Sequence, residues 1–287
     1  IHMLPDLDVR RSSMDQIKEE ILEFSEMVKK SESESVVFMF SGTTFVQELR
    51  ANRPIRLTTE MVNRGIPVIF NYHRWNRREE IPEKNGNLIQ IPIDVTERIL
   101  GDIAELDFGG KKKIFIVSYP HPSIGKILNR FRALGWITFY DARDEWEEFE
   151  KVGQAKWFKT CNEKYIVHNV EHVTSVSWPL AKKLDEFSPY RKVEVLPNAL
   201  SPHFLSDSYE WNGNGTGKIG YFGHLTDSWF DWGSLIKIAE LRPQYKFEII
   251  GHSEPEGLKL PENISLLGPK THPEINKIAS KWEVAII

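Results

Sequence analysis

The chain has 287 residues, 40% of them hydrophobic and 27% charged, a composition that is ordinary for globular proteins and excludes a disordered or fibrous chain. Its formal net charge of -4 provides no broad basic field, so nucleic acid is not an expected partner. The single cysteine, Cys161, excludes an intrachain disulfide and a cysteine-rich zinc site, and no apolar run approaches the roughly 20 residues that a membrane helix needs.

The hydrophobic pattern opens with a helix and then alternates strands with helices. Apolar residues at helical spacing predict a helix over 14–30. Short β-branched runs then predict strands over 36–40, 67–71, 113–118, 136–140, 172–175 and 192–195. The intervening segments 54–64, 122–134 and 179–186 begin with proline, which suits the first helical turn because an N–H there would have no intrahelical partner. This alternation is typical of β-α-β units that form a mostly parallel sheet.

A polar, glycine-rich segment at 206–217 interrupts the pattern, and such a composition supports neither a strand nor a helix. Strands are predicted again at 218–222, 246–250, 264–267 and 283–287, with helices at 231–241 and 272–280. The sequence therefore predicts an α/β chain with a helical extension (4–34), a Rossmann-like domain (35–205), a linker (206–217) and a second Rossmann-like domain (218–287). Because the second domain is shorter than domains usually are, we expect it to be incomplete and the chain to be part of a larger multidomain protein.

Four segments, in this order and spacing, resemble one branch of the family-4-like GT-B glycosyltransferases that make capsules, teichuronic acids and O-antigens. They are Arg53-Pro54 with the turn at 63–68, Ile137-Thr138-Phe139-Tyr140-Asp141-Ala142-Arg143-Asp144-Glu145-Trp146, Val195-Leu196-Pro197-Asn198-Ala199, and Ile219-Gly220-Tyr221-Phe222-Gly223 with the segments that follow it to Lys270. The second is similar to the family's "Y-D-x-x-D-D-W", and Ala199 departs from the family's glycine. The resemblance covers most of residues 35–287.

The resemblance implies a hexosyltransferase-type enzyme with two Rossmann-like domains that needs neither a metal nor another cofactor. Such an enzyme moves a hexose or deoxyhexose from a nucleoside-diphosphate sugar to a growing bacterial surface glycan, and its acceptor is a glycan or a lipid-linked glycan. The location expected for it is the cytoplasm, including peripheral association with the inner face of the membrane. Two other functions remain open: a non-catalytic GT-B-like scaffold or binding module, and a sugar-nucleotide epimerase of the same fold.

The donor is expected on the second domain, beyond the carboxyl ends of its strands. Gly220, Gly223 and His224 form the candidate turn whose backbone N–H groups hold the diphosphate without a metal, although a turn made for packing alone also fits. No Arg or Lys directly follows it, so the phosphate is expected to be neutralised by Lys270 or by a residue beyond position 287. The resemblance puts Asn198 at the hinge side, where its amide can bond backbone or donor, or simply form a turn.

Glycosyl transfer needs a group that takes the proton from the acceptor hydroxyl, and a carboxylate suits this task. Asp141 ends a predicted strand and Asp144 lies one turn further on, so both are candidate catalytic residues. Alternatively, Asp141 is a turn residue and Asp144 caps a helix, with Glu147 completing a capping box. His121 directly follows a strand and is a candidate for contacting either sugar, or else a surface histidine in a proline-braced loop.

The remaining candidates are two loop residues for the acceptor side and two groups of possible metal ligands. Gly42 and His73 follow the first and second strands, where the acceptor loops of this fold lie, although both also fit as plain loop residues. The Asp-x-Asp triplet at 6–8 precedes the first helix and is a poor metal site. His168 and His172 can share a helical face, but no third ligand is near them in sequence. We therefore predict no metal.

Overall fold

The computed structural model describes residues 7–46, 52–73, 86–190, 192–199 and 212–287. It divides the chain into two compact units, Ile1–Asn198 and Ala199–Ile287. The predicted α/β architecture is confirmed, because each unit is built on a parallel sheet. Half of the predicted linker (206–211), together with Asp6 of the acidic triplet, lies outside the described residues.

The first unit alternates helices with strands after one long leading helix. Its elements are α1 (Leu7–Lys30), β1 (Ser35–Phe40), α2 (Arg53–Asn63), β2 (Val68–Tyr72), β3 (Leu88–Pro92), α3 (Ile93–Glu105), β4 (Lys112–Val117), α4 (Pro122–Ala133), β5 (Trp136–Ala142), α5 (Trp146–Lys151), α6 (Thr160–Asn169), β6 (His172–Ser175), α7 (Trp178–Phe187) and β7 (Glu194–Val195).

The strands of the first unit form one parallel sheet in the order β3-β2-β1-β4-β5-β6-β7. Phe40 of β1 stands opposite Asn71 of β2 on one side and Val117 of β4 on the other. The strand order therefore changes direction between β1 and β4, and open α/β sheets bind ligands beside such a switch point. Both faces of the central strands are buried, which explains their nearly continuous apolar sequences.

The leading helix α1 belongs to the core of the first unit. Ile17, Ile21, Phe24 and Val28 recur at helical spacing and are all buried in the same cluster as the strands and helices of one sheet face. None of the helices within the described ranges is both long and apolar enough to cross a membrane.

One strand and three helices of the first unit have no counterpart among the predicted elements. β3 runs directly into α3 without a polar loop, because Pro92 ends the strand and also occupies the N-cap of the helix. Proline is tolerated there since β3 is an edge strand that pairs only with β2. The short helices α5 and α6 were also not predicted.

The second unit contains β8 (Lys218–His224), α8 (Trp232–Leu241), β9 (Lys246–His252), β10 (Ile264–Gly268), α9 (His272–Ala279) and β11 (Val284–Ala285). The strands form a parallel sheet in the order β10-β9-β8-β11. Trp232, Leu235 and Ala239 of α8 pack on Phe247 and Ile249 to form the core of this unit.

Candidate functional site

The predicted site residues of the first unit collect along one edge of its sheet. Because the strands are parallel, their carboxyl ends meet at the same edge. The residues at or just beyond these ends are Gly42 after β1, His73 after β2, His121 after β4, Asp141 and Asp144 at the end of β5, and Asn198 after β7. We call this edge the carboxyl edge of the first unit.

Asp141 is held in a buried ion pair. Its side chain is 7% exposed, and Arg53 approaches it with both Nε, at 2.8 Å from Oδ2, and Nη2, at 3.0 Å from Oδ1. The hydroxyl of Thr174 donates a further hydrogen bond to Oδ1 at 2.7 Å. Both carboxylate oxygens are thus occupied, and this arrangement suits a residue that holds Arg53. The catalytic role of Asp141 stays a prediction.

Arg53 connects the end of β5 with the end of β7. It is the first residue of α2, where Pro54 follows in the first helical turn. Its Nη1 lies 3.4 Å from the carbonyl oxygen of Pro197 and 3.4 Å from Oδ1 of Asn198. The side chain of Asn198 therefore faces a guanidinium at the carboxyl edge, and its predicted role toward the donor stays a prediction.

Asp144 has a different environment from Asp141. Its side chain is 31% exposed, and its closest charged partner is Arg143, whose Nε lies 3.5 Å from Oδ2. Burial raises the pKa of Asp144, while the Arg143 guanidinium opposes this shift. The alternative that Asp144 caps a helix is wrong, because α5 begins at Trp146 and its N-cap is Glu145, which makes no side-chain cap bond.

His121 caps the N-terminus of α4. Its Nδ1 lies 2.8 Å from Oγ of Ser123 and 3.4 Å from the backbone nitrogen of Ser123. Glu97 of α3 approaches the same ring nitrogen at 3.3 Å. Burial lowers the pKa of His121 and His73 lowers it further, whereas Glu97 opposes both. The imidazole is therefore neutral near pH 7, and its Nε2 makes no hydrogen bond within the described ranges.

The loop after β1 is packed against an aromatic ring. A Cβ added to Gly42 would lie 2.9 Å from Cγ of Tyr119, so no larger residue fits there without displacing the ring. The backbone N–H of His73 donates to the carbonyl of Thr43 at 2.7 Å, which ties the ends of β1 and β2 together. Gly42 is thus explained by packing, while the imidazole of His73 is exposed at the carboxyl edge.

The glycine segment of the second unit is not a turn, contrary to the prediction. β8 continues through His224, so Gly220 and Gly223 lie within a strand that pairs with β9 along its length. A Cβ on Gly220 would lie 1.9–2.3 Å from ring atoms of Trp282, and one on Gly223 would lie 2.4 Å from the hydroxyl of Tyr221. Close packing therefore accounts for both glycines.

His224 and Lys270 do lie at the carboxyl ends of strands in the second unit. His224 ends β8, and its ring meets that of His252, which ends β9, with centroids 4.6 Å apart. Lys270 follows β10 and directly precedes Thr271, whose capping box with Glu274 starts α9. Donor binding by these residues stays a prediction.

Within the described ranges, no three metal-binding side chains come together. His168 and His172 do not share a helical face, because His168 lies in α6 and His172 begins β6, where its ring stacks on Phe139.

Four residues near the two sets of strand ends were not among the predicted site residues. Arg53 and Arg143 were noted only as parts of motifs, although Arg143 follows a strand end just as Asp144 does. Glu97 lies on helix α3, which the sequence did not predict. His252 is the last residue of β9 and directly follows Gly251. Like His121, Arg143 and His252 are polar residues at or just after the end of an apolar strand. The same sequence pattern therefore also predicts these two residues as candidates for the site.

Solved structures match this chain, whereas no protein-family model and no curated protein does. HepE of Anabaena in complex with UDP-glucose has a TM-score of 0.53 at 13% identity, over 88% of this chain and 72% of that one. HepE with UDP and glucose gives a TM-score of 0.52 at 11% identity, over 87% and 73%. An alpha-glucosyltransferase in complex with UDP and DNA containing a HMU base gives 0.51 at 12% identity, over 88% and 71%. At these identities the likeness shows architecture, and the chain has the GT-B fold.

Proposed function

We propose that this chain is a metal-independent glycosyltransferase that uses a nucleoside-diphosphate sugar as its donor. The observation that carries the proposal is the GT-B fold, since the matching structures bind UDP, and one of them UDP-glucose. The transferred group is a hexose or deoxyhexose, and the acceptor is a growing bacterial surface glycan, free or lipid-linked. One matching structure contains DNA, but the net charge of -4 argues against a nucleic-acid acceptor here.

Asp144 is the carboxylate that we assign to removing the acceptor's proton. Its pKa is raised by burial, and a base works best when its pKa approaches the working pH. Its side chain remains partly exposed, and its single charged contact within the described ranges is long, at 3.5 Å. Asp141, in contrast, accepts three hydrogen bonds from Arg53 and Thr174. In this proposal Asp141 orients Arg53, and His121 offers its neutral Nε2 to a sugar hydroxyl.

The donor side of the proposal uses His224, Lys270 and the N-terminus of α9. A helix N-terminus carries partial positive charge and binds phosphate without a metal, and Lys270 adds a full charge beside it. Asn198 is proposed as a further donor-binding residue through its side-chain amide.

The test is release of nucleoside diphosphate from a panel of nucleoside-diphosphate sugars, with lipid-linked and free oligosaccharide acceptors. Asp144→Asn should lower turnover at least tenfold, as loss of a positioned base does. Asp15→Asn is the matched control, because Asp15 is exposed on α1. An Asp144→Asn variant with full turnover would remove Asp144 from the role of base.

The second candidate, a non-catalytic binding module of GT-B shape, has one observation in its favour. The side chains of Trp282 and Tyr221 occupy the space beside the two glycines of β8. These glycines lie within a strand and do not form the expected phosphate-binding turn. This function predicts no nucleoside diphosphate release with any donor in the panel. Measurable, Asp144-dependent release would exclude it.

A further inference from the structure

Arg143 carries a buried positive charge, and the described residues around it supply hydrogen-bond acceptors to only one of its three guanidinium nitrogens. Its side chain is 10% exposed, and its Nε contacts the carbonyl of Ser118 at 3.3 Å and Oδ2 of Asp144 at 3.5 Å. Its two terminal nitrogens donate to no acceptor within the described ranges. A buried guanidinium is costly unless its donors are paired, so this fork is suited to an acceptor that the chain itself does not supply.

Two residues that contact Arg143 also carry a polar atom with no partner among the described residues. The centre of the Trp146 ring lies 5.2 Å from the guanidinium carbon, the residue is 6% exposed, and its Nε1 has no acceptor in the part of the chain that the structure describes. Ser118, whose carbonyl accepts from Arg143, is fully buried, and its Oγ has no partner there either. Buried polar groups in proteins are normally hydrogen-bonded. Three neighbouring residues with unused donors therefore indicate a ligand rich in acceptors.

The charges around Arg143 leave room for an anion. Burial lowers the pKa of Arg143, and the groups that oppose this shift are Asp144, Asp141, Tyr119 and Tyr140. Asp141 is already neutralised by Arg53, and burial raises the pKa of each tyrosine well above its ordinary value, so both are neutral. Among the described residues, Asp144 is thus the one carboxylate that competes for Arg143, and at 3.5 Å from Nε it leaves the terminal nitrogens open.

We propose that Arg143, with the N–H of Trp146 and the hydroxyl of Ser118, binds an oxyanion carried by the acceptor substrate. A guanidinium fork pairs two donors with two oxygens of a phosphate or carboxylate, a geometry that Lys does not offer. The anion would hold the acceptor beside Asp144. This inference rests on the proposed function and narrows it to acceptors that carry a phosphate ester or an acidic sugar.

The first test is direct binding without any donor. Glucose 1-phosphate, glucuronate and neutral glucose are titrated into the 287-residue chain by ligand-observed NMR. We expect one or both anionic probes to bind more tightly than glucose, and their relative affinities separate a phosphate acceptor from a carboxylate acceptor. Arg143→Gln should weaken the anionic probe at least tenfold. Arg132→Gln removes the same charge from an exposed position on α4 and should leave binding unchanged.

Three further variants keep the test decisive if Arg143→Gln folds poorly. Arg143→Lys retains the charge but loses the fork, and should recover only part of the affinity. Trp146→Phe and Ser118→Ala each remove one donor and should weaken binding several-fold. Equal binding of the anionic probe by the parent chain and these variants, or equal binding of anionic and neutral probes, would overturn the proposal.

The outcome also separates this inference from the proposed function. If the chain transfers sugar while Arg143→Lys changes neither anion binding nor the KM for a charged acceptor, the oxyanion site is wrong and the glycosyltransferase proposal stands. If no donor is turned over but anion binding still depends on Arg143, the site is real and the proposed reaction is wrong.

Discussion

Replacing Asp141 by Asn should destabilise the first unit, because it leaves the charge of Arg53 buried without its counterion. The two side chains are 7% and 12% exposed and share two hydrogen bonds of 2.8 and 3.0 Å. The Asn amide would also point an N–H donor at a guanidinium donor. Removing one member of a buried pair costs about 3–5 kcal/mol, and we take ~3 kcal/mol because Arg53 keeps contacts with Pro197 and Asn198.

Differential scanning calorimetry measures this loss. For a unit of this size, 1 kcal/mol shifts Tm by about 2–4 °C, so ~3 kcal/mol corresponds to ~6–12 °C. Arg53→Met and the double variant complete a cycle whose coupling should be ~2 kcal/mol. Asp102→Asn is the matched control, since Asp102 pairs with Lys18 at 2.8 Å but both are largely exposed, and such pairs contribute about 0–1 kcal/mol. The reasoning would be refuted if the Tm of Asp141→Asn lay within about 2 °C of the parent's, a shift on the order of the control's. It would also be refuted if the free-energy losses of Asp141→Asn and Arg53→Met were strictly additive in the double variant.

Three other predictions test the interior and the chemistry. Burial raises the folded-state pKa of Glu163 above its ordinary 4.5, so the stability it provides is complete below that value and is lost as pH rises through the folded pKa. The Tm of Glu163→Gln minus that of the parent should therefore increase from pH 5 to pH 8, and a constant difference would contradict the shift. Gly220→Ala should destabilise the second unit by about 1–3 kcal/mol in urea unfolding, because its Cβ overlaps the Trp282 ring; unchanged stability would contradict the packing. Turnover should survive excess EDTA, and loss restored by Mg²⁺ would mean that a divalent ion, not a helix end, binds the diphosphate.

The sequence is informative about elements that follow a simple hydrophobic period. β1, β4 and β5 lie within one or two residues of their predicted bounds, since each is a buried β-branched or aromatic run between polar segments. β3 and α3 escape prediction because the apolar run continues from strand to helix across Pro92 and gives no boundary signal. The start of α5 at Trp146 is likewise invisible, because no side chain caps it.

The candidate site is only partly predictable, since its contacts depend on strand order. The positions of Asp141, Asp144 and His121 at or just after predicted strand ends identify them as candidates from sequence. The sequence could not show that Arg53, 88 positions earlier, occupies both oxygens of Asp141, because this depends on where α2 packs in the folded unit. Nor could it distinguish a paired carboxylate from a partly exposed one, so the sequence favours Asp141, which ends the strand, over Asp144.

The contact between Gly220 and Trp282 also bears on how the second unit forms during synthesis. β8 leaves the ribosome well before Trp282, whose ring covers Gly220 and whose indole N–H donates to Glu248 at 2.8 Å. At about 5–20 residues per second, the lag is roughly several seconds. During that interval Gly220 lacks the ring that covers it and Glu248 lacks the indole N–H that it accepts. Released chains that end just before and just after residue 282 should therefore differ in protease resistance of the second unit, whereas the first unit should be protected in both.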